Sequence, residues 1–597
     1  MCGIGGILTL SAFSDSLNTL IDRVRSHLTH RGPDDQGIYI NPTKNVAFAH
    51  TRLSILDLSS AGHQPMTTQD ERYWITFNGE IYNFQEIRSH LETQGEIFKS
   101  HTDTEVILKL YRRNGKECLS QLRGMFAFAI WDNQTKTCFI ARDPLGIKPL
   151  YYYYDGQNLL FASELRAILA TGIVNKNISP QGLYSYLTRG TVAEPDTIIE
   201  GVKCLPAGHW LQWQEGEIEV KSYWQIQFQN QINSLPEAIE ITRQGLIDSI
   251  KHHFVSDVPV GIFLSGGIDS SSLLALARTT QTGTIKTYSI TFAEAEYNEG
   301  DLATQIAREF DTQHHQYQIT GAIALNILPD FLQAIDQPTI DGFNIYCVSQ
   351  LAKEDGTKVV LSGLGGDELF GGYSLFQQIP KMIKIAQNLD KLPYLKQLSG
   401  LLLTNLSNNP RYLRLGDFLS SNNSTASAYQ SMRGIFSHGE AMTILTHYLG
   451  EEAISQINSD PQLIISQLSL EDEVSYLEIT GYMGNQLLRD SDVMSMRHGL
   501  ELRVPLVDRT FLEQISPITS KLRLAQKKQL LVNAVSELPE WLVNQPKKGF
   551  MFPFQRWIDN EWKDSFSMDK FKGKINLTLW YRRWSLMVLD LWLESNK

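Results

Sequence analysis

The second residue of the chain is a cysteine, Cys2. Once Met1 is removed, its thiol and an α-amine belong to the same residue. An α-amine with an unperturbed pKa of about 7.7–8.0 takes a thiol proton near neutral pH, so Cys2 is a candidate nucleophile that carries its own base. Position alone is also compatible with a chance cysteine. A second cluster, Phe263-Leu264-Ser265-Gly266-Gly267-Ile268-Asp269-Ser270-Ser271, has a different chemistry. An apolar run stops, two glycines let backbone approach a phosphate, and hydroxyls open a helix whose N-terminus favours anions. The Gly-Lys-Ser/Thr of a Walker loop is absent. A third cluster, Leu361-Ser362-Gly363-Leu364-Gly365-Gly366-Asp367-Glu368, again runs from an apolar stretch into glycines. Taken singly, each glycine cluster also reads as a tight turn with a Ser cap.

These residues need elements to hold them. Across the first 200 residues, short apolar runs such as Val46-Ala47-Phe48-Ala49, Tyr73-Trp74-Ile75-Thr76-Phe77 and Phe126-Ala127-Phe128-Ala129-Ile130-Trp131 recur between Gly, Pro, Asn and Asp, which predicts strands. Helices are predicted near 16–28 and 104–113. That pattern predicts an α+β layered domain. The Gln/Asn-rich stretch 224–236 ends in Pro-containing sequence and reads as linker. Beyond it strands and helices alternate: strands at 258–264, 285–292 and 358–361, helices from 270, from 301 and around 328–335. Alternation predicts an α/β parallel sheet, whose ligands sit beyond the carboxyl ends of its strands. Both glycine clusters fall there. From about 380 onward a helical region is predicted, with 405–427 as a polar excursion. The final helix, carrying Trp580, Trp584, Met587, Val588 and Leu591 on one face, is expected to dock on the same chain.

Further segments follow Cys2 in order: His30-Arg31-Gly32-Pro33-Asp34, Arg52-Leu53-Ser54-Ile55, Phe77-Asn78-Gly79-Glu80-Ile81-Tyr82-Asn83, His101-Thr102-Asp103-Thr104-Glu105 and Ala141-Arg142-Asp143-Pro144-Leu145-Gly146. With these the chain resembles the glutaminase domain of the N-terminal-nucleophile amidotransferases, in the asparagine synthetase branch. The resemblance implies a layered Ntn-hydrolase sandwich and roles for particular residues. Arg52 grips the α-carboxylate of glutamine through its fork of donors, and Asp103 takes the α-ammonium. The Asn78 side chain and Gly79 N–H form the oxyanion hole, and Glu80 helps position the substrate's amino end.

The second cluster resembles the SGGxDS pyrophosphate loop of ATP pyrophosphatases, and the third the other nucleotide loop of asparagine synthetases. The resemblance places Leu264, Ser265, Gly266, Gly267, Asp269, Ser270, Ile290, Ser362 and Gly363 around ATP, with Leu264 and Ile290 framing the adenine. It assigns Mg²⁺ to Asp269 and Asp367, an oxygen-ligand site with few protein carboxylates. Lys547, in Pro546-Lys547-Lys548-Gly549-Phe550, aligns with a lysine that stabilises the charged adenylation transition state; Lys548 is its close competitor for the role. The implied domains are 2–210 (glutamine amidotransferase), 211–236 (linker) and 237–597 (ATP pyrophosphatase with a helical C-terminal region).

The implied reaction is glutamine-dependent amidation of aspartate to asparagine, through a Cys2 glutamyl thioester and an acyl-adenylate, releasing AMP and pyrophosphate. One residue departs from the family: asparagine synthetases often carry an acidic residue where this chain has Leu364. Asp341, Glu368 and Asp492 are candidates to supply that charge from another direction. The alternatives are an amide synthase for another carboxylate, of a cell-surface or secondary metabolite, and a non-catalytic sensor of glutamine or nucleotide, which turnover of glutamine separates.

Composition agrees. With 597 residues, 42% hydrophobic and 20% charged, the chain is of ordinary globular make-up and long enough for about two to four domains. Its net charge is −12, from 53 Lys+Arg against 65 Asp+Glu, which argues against a nucleic-acid footprint. No run approaches the roughly 18 apolar residues of a membrane span. Five cysteines without CxxC or zinc spacing read as reduced thiols, and the N-terminus lacks a basic leader, so a cytoplasmic protein is expected. The expected partners are small molecules (glutamine, ATP and aspartate), with a homodimer left open.

Overall fold

The structure, a computed structural model, describes the chain except for residues 11–14, 295, 392, 407, 459–467, 546–550, 564–568 and 597. Short apolar runs in the first part of the chain build β1 (Cys2–Thr9), β2 (Asp35–Ile40), β3 (Val46–Arg52), β4 (Met66–Thr67), β5 (Tyr73–Ile81), β6 (Gly124–Asp132), β7 (Thr137–Arg142), β8 (Tyr151–Tyr154), β9 (Asn158–Ala162), β10 (Val202–Cys204) and β11 (His209–Gln214), joined by the polar edge strand β12 (Glu217–Ser222). They pair antiparallel into two sheets, β10-β8-β9-β1-β3-β2 and β12-β11-β7-β6-β5-β4. Ile4, Leu8 and Phe48 of the first sheet pack on Ala127, Trp131 and Ile140 of the second. The outer face of the first sheet is covered by the helix Leu17–Ser26, which turns Leu20, Ile21 and Val24 inward. The helices Phe84–Thr93 and Asp103–Asn114 cover the second. Each face hides its apolar side, and the result is a four-layer helix–sheet–sheet–helix sandwich.

The sandwich extends further along the chain than the sequence reading placed it. Residues 211–222, read as the start of a linker, form β11 and β12 instead. β11 pairs with β7, and its Leu211 and Trp213 are buried in the inter-sheet core. β12 lies at the sheet edge with mostly exposed side chains, so it lacks the apolar signature of an inner strand.

The second domain is built on β13 (Val260–Phe263), β14 (Lys286–Phe292), β15 (Gln313–Ile319), β16 (Val359–Leu361) and β17 (Glu501–Arg503), all parallel, in the order β15-β14-β13-β16-β17. The three inner strands match the predicted ones. The edge strand β15 (QHHQYQI) is polar, and β17 is three residues inside a helical region. Neither had a readable signal. Helices fill the rest. Within 405–427, the described residues include the helix Pro410–Ser420 and the start of Thr425–Arg433, capped by Asn409 and Ser424. Phe418 and Thr425 within the stretch are buried, so its described residues are packed structure and not an excursion. The terminal helix Trp580–Ser595 buries Trp584, Val588 and Trp592 against the same chain, with the Trp584 ring 4.6 Å from that of Phe554. All five cysteines are buried and unpaired by disulfides. Among the described residues no helix is long and apolar enough to cross a membrane.

Candidate active sites

Strand pairing assembles the first site. β1 begins at Cys2, and its antiparallel register sets Cys2 opposite Arg52 on β3. The Arg52 guanidinium is held by backbone carbonyls: Nη1 donates to Ser59 (2.9 Å), Nη2 to Leu56 (3.2 Å) and Asp57 (2.5 Å). β5 brings in Asn78, whose Oδ1 accepts the Cys2 N–H at 3.0 Å. The same Asn78 buries its Nδ2 with no acceptor among the described residues. A buried donor left unmatched beside a thiol is what an oxyanion hole requires before a substrate arrives. Gly79 has φ 155°, and a Cβ there would lie 2.1 Å from the Met125 carbonyl oxygen, so this position admits only glycine.

Two carboxylates close the pocket. Asp103 opens the helix Asp103–Asn114 behind its Thr102 cap, and its Oδ2 accepts the Ile81 N–H at 2.9 Å. Burial pushes its carboxyl up to about 6, against the pull of that N–H. Glu80 is buried beside it and is raised well above the ordinary carboxylate range by burial and by the charges of Glu501 and Asp103. The Cys2 thiol is likewise raised by burial, with the N-terminal ammonium and the Leu53 N–H opposing. Met1 is buried, with its ammonium 3.0 Å from Glu501 and its carbonyl accepting the Leu53 N–H at 2.9 Å. Cleavage of the Met1–Cys2 bond would leave the new α-amine next to Asn78 Oδ1.

The structure adds residues here to which the sequence reading gave no role. The fully buried Arg31 donates from Nε to the Cys2 carbonyl (3.1 Å), from Nη1 to Glu164 (2.9 Å) and from Nη2 to Asp492 (2.7 Å). Lys148 reaches the other oxygen of Asp492 at 3.0 Å. Arg503 lies 3.7 Å from Glu80 and 2.5 Å from Glu501. Asp492, Glu501 and Arg503 all belong to the second domain, so the walls of the first site are partly built from the second. Arg31 lies in a quoted motif, but its two carboxylate partners are more than 130 residues away and leave no local trace.

The second site lies beyond the carboxyl ends of β13 and β16. After β13 the Leu264 N–H bonds the Tyr288 carbonyl at 2.9 Å, which sets Leu264 beside the middle of β14, where Ile290 is also buried. Gly266 adopts φ 80° and Gly267 caps the helix Ile268–Thr280. The loop is tied by Ser265 Oγ to Ser270 Oγ (3.1 Å) and by the Gly267 N–H to Ser265 Oγ (3.3 Å). After β16, Ser362 and Gly363 press against this loop. A Cβ on Gly363 would lie 2.7 Å from the Ser270 nitrogen, and one on Gly366 2.3 Å from Asp269 Oδ1. The two glycine clusters are thus two sides of one cradle.

In that cradle Asp269 and Asp367 converge on the ammonium of Lys528, which ion-pairs with both, at 2.5 Å from Asp367. Burial pulls the Lys528 ammonium down, but the two carboxylates outweigh it and hold it above its ordinary value. Two carboxylates that meet around one cation form a hard-oxygen donor set that fits Mg²⁺. Among the described residues no third His, Cys, Asp or Glu joins them. Lys528 was absent from the sequence reading, where a Lys527-Lys528 pair carries no signal; in the structure both adopt positive φ just before a helix. Lys547 and Lys548 lie outside the described residues.

The three candidates to replace a charge at position 364 separate. Asp492 is taken by Arg31 and Lys148. Glu368 is buried and accepts the Tyr373 hydroxyl at 2.8 Å; burial, Asp367 and Glu478 push it up to about 7. Asp341 lines an open cavity.

Residues 1–224 match the glutamine amidotransferase domain family and residues 242–569 the asparagine synthase family. The chain is 33% identical over 571 residues to glutamine-hydrolyzing asparagine synthetase 1 of Bacillus subtilis (strain 168), covering 94% of this chain and 88% of that protein. It is 36% identical over 433 residues to putative glutamine-hydrolyzing asparagine synthetase 2 of Methanocaldococcus jannaschii, covering 67% and 82%.

Proposed function

Because the chain belongs to the glutamine-hydrolysing asparagine synthetase family, we propose that it converts aspartate to asparagine with nitrogen from glutamine and energy from ATP. The observation that carries the first half of this reading is the buried, unmatched Asn78 Nδ2 beside Cys2. The Cys2 α-amine takes the thiol proton, and the thiolate attacks the glutamine amide carbon. Asn78 Nδ2 and the Gly79 N–H receive the oxyanion. Ammonia leaves, and water releases glutamate from the thioester. Arg52 and Asp103 hold the two ends of the glutamine backbone.

In the second site the Ser265–Ser270 loop receives the β- and γ-phosphates of ATP at the helix N-terminus, and Leu264 and Ile290 flank the base. Asp269 and Asp367 would hold Mg²⁺, which supplies compensation for charge on the departing pyrophosphate. Lys528 adds a cation on the same side. The aspartate β-carboxylate attacks the α-phosphate, pyrophosphate leaves, and ammonia then displaces AMP from the acyl-adenylate. Lys547 is proposed to stabilise the adenylation step.

Purified protein with ATP, Mg²⁺, ammonia and aspartate is expected to form asparagine, AMP and pyrophosphate. Absence of asparagine while the same preparation hydrolyses glutamine would transfer the reading to another carboxylate acceptor.

The first site also has an expected pH signature. The amine base is active only when neutral, so log(kcat/KM) for glutamine falls with slope one below about 7.7–8.0. Asp103 binds the substrate ammonium only as a carboxylate, and it protonates below about 6. The limb therefore steepens to slope two there. A limb of constant slope would remove Asp103 from the ammonium site.

A further inference from the structure

A cavity of about 310 Å³ lies between the domains, lined by Arg189, Asp341, Phe343, Tyr482, Asn485 and Phe552 among others. The helix Pro180–Arg189 of the first domain ends at Gly190, which has φ 80°. The Gly190 carbonyl accepts the Ile340 N–H at 3.1 Å, so Arg189 and Asp341 flank a single backbone hydrogen bond between the domains. A Cβ on Gly190 would lie 2.6 Å from Ile340 Cδ1, so this close approach depends on the glycine.

The charges in this cavity are of two kinds. Arg433 is already committed: its Nε donates to Glu478 at 2.8 Å, and its guanidinium stacks 4.0 Å from the Tyr482 ring centre. Arg189 has no carboxylate partner among the described residues. Burial and the neighbouring Tyr429 and Tyr184 are what act on it. Asp341 has no cationic partner among them either; its Oδ1 accepts only the Gly342 N–H at 2.8 Å. One cation and one anion, both half-buried, face the same space without pairing, and a charge drawn partly out of water gains from a ligand that completes it.

The cavity also adjoins the nucleotide cradle. The Tyr482 ring on its wall packs edge-on against Tyr373 (6.4 Å), and the Tyr373 hydroxyl bonds Glu368, the neighbour of Asp367. On its other side the cavity shares Arg189, Tyr429 and Asn485 with a larger cleft of about 850 Å³ between the domains, a route of entry for a small molecule.

We propose that this cavity binds the amino-acid end of the acceptor, with Arg189 taking its α-carboxylate and Asp341 its α-ammonium, so that the β-carboxylate is left to meet the nucleotide. The inference rests on the aspartate reading above. It accounts for Leu364: the acidic group missing from that loop is supplied by Asp341, which lines the cavity from outside the loop. It also makes the acceptor site incomplete without the first domain, which contributes Arg189.

The test uses the full chain with ammonia as nitrogen donor and pyrophosphate release as readout. Aspartate is the substrate; succinate, which lacks the ammonium, and β-alanine, which lacks the α-carboxylate, are competing ligands. Arg189→Gln is expected to raise KM for aspartate and Ki for succinate about 10–100-fold, the worth of a charge-assisted contact, and to leave Ki for β-alanine unchanged. Asp341→Asn is expected to raise KM for aspartate and Ki for β-alanine, and to leave succinate unchanged. Arg189→Lys should fall between wild type and Arg189→Gln. KM for ATP should stay constant throughout, which a merely structural lesion would not allow. Equal losses for all three ligands, or no change, overturn the clamp while the aspartate reading stands. Failure of the wild type to use aspartate at all overturns that reading and the clamp with it.

Discussion

Replacing Cys2 by Ala is expected to abolish glutamine-supported synthesis and leave ammonia-supported synthesis near the wild-type rate. Loss of a nucleophile costs about 10⁴–10⁶ in turnover where the rest of the site persists. The rest does persist here. The contact to Asn78 Oδ1 is made by the Cys2 backbone N–H and not by the thiol, and β1 keeps its register with β3. Retaining Met1 should have the same effect by a different route. The Cys2 nitrogen is then an amide and cannot take a proton, while the free ammonium sits at Glu501. The thiol, raised by burial, is left with no base. Glutamate release and amide formation measured side by side, with each nitrogen donor, check both forms. Normal glutamine hydrolysis by protein shown by mass to retain Met1 would remove the N-terminal-nucleophile mechanism.

Asp269→Asn is expected to stop pyrophosphate release with either nitrogen donor, by about 10³-fold, in line with loss of one preorganised electrostatic group at a phosphoryl centre. The substitution is nearly isosteric. That matters because Gly366 presses directly on Asp269 and leaves no room for a larger side chain. What changes is charge: Lys528 keeps only Asp367 as a counter-ion, and the proposed Mg²⁺ loses one of its two carboxylates. Glutamine hydrolysis should continue, since the thioester chemistry at Cys2 uses neither Asp269 nor the metal. AMP production at a near wild-type rate would take Asp269 out of the metal site.

Several features of both sites were legible along the chain. Cys2 is marked by position, and Gly266, Gly267 and Asp269 by the turn chemistry that ends β13. Short apolar runs between turn residues marked the layered sandwich, and the β/α alternation marked the parallel sheet. These signals are local. Backbone conformation and side-chain periodicity are decided within a few residues, so they can be read one window at a time. The edge strands β12 and β15 escaped for the same reason: with one side open to solvent they need few apolar residues, and nothing local separates them from a polar loop.

Tertiary structure alone decided which charges meet. Lys528 lies 259 residues from Asp269, and Arg31 lies 461 from Asp492. No spacing in the sequence announces either pair. Burial explains why such pairs form at all: a charge removed from water must find a partner wherever packing places one. The packing of β17 against β16 carries Glu501 and Arg503 to the glutaminase pocket, and the Gly190–Ile340 contact sets Arg189 beside Asp341. The sequence by itself therefore determined the two kinds of chemistry and the elements that hold them. The docking of the two domains determined that the first site is finished by residues of the second, because long-range electrostatic pairing is settled only when the chain has packed.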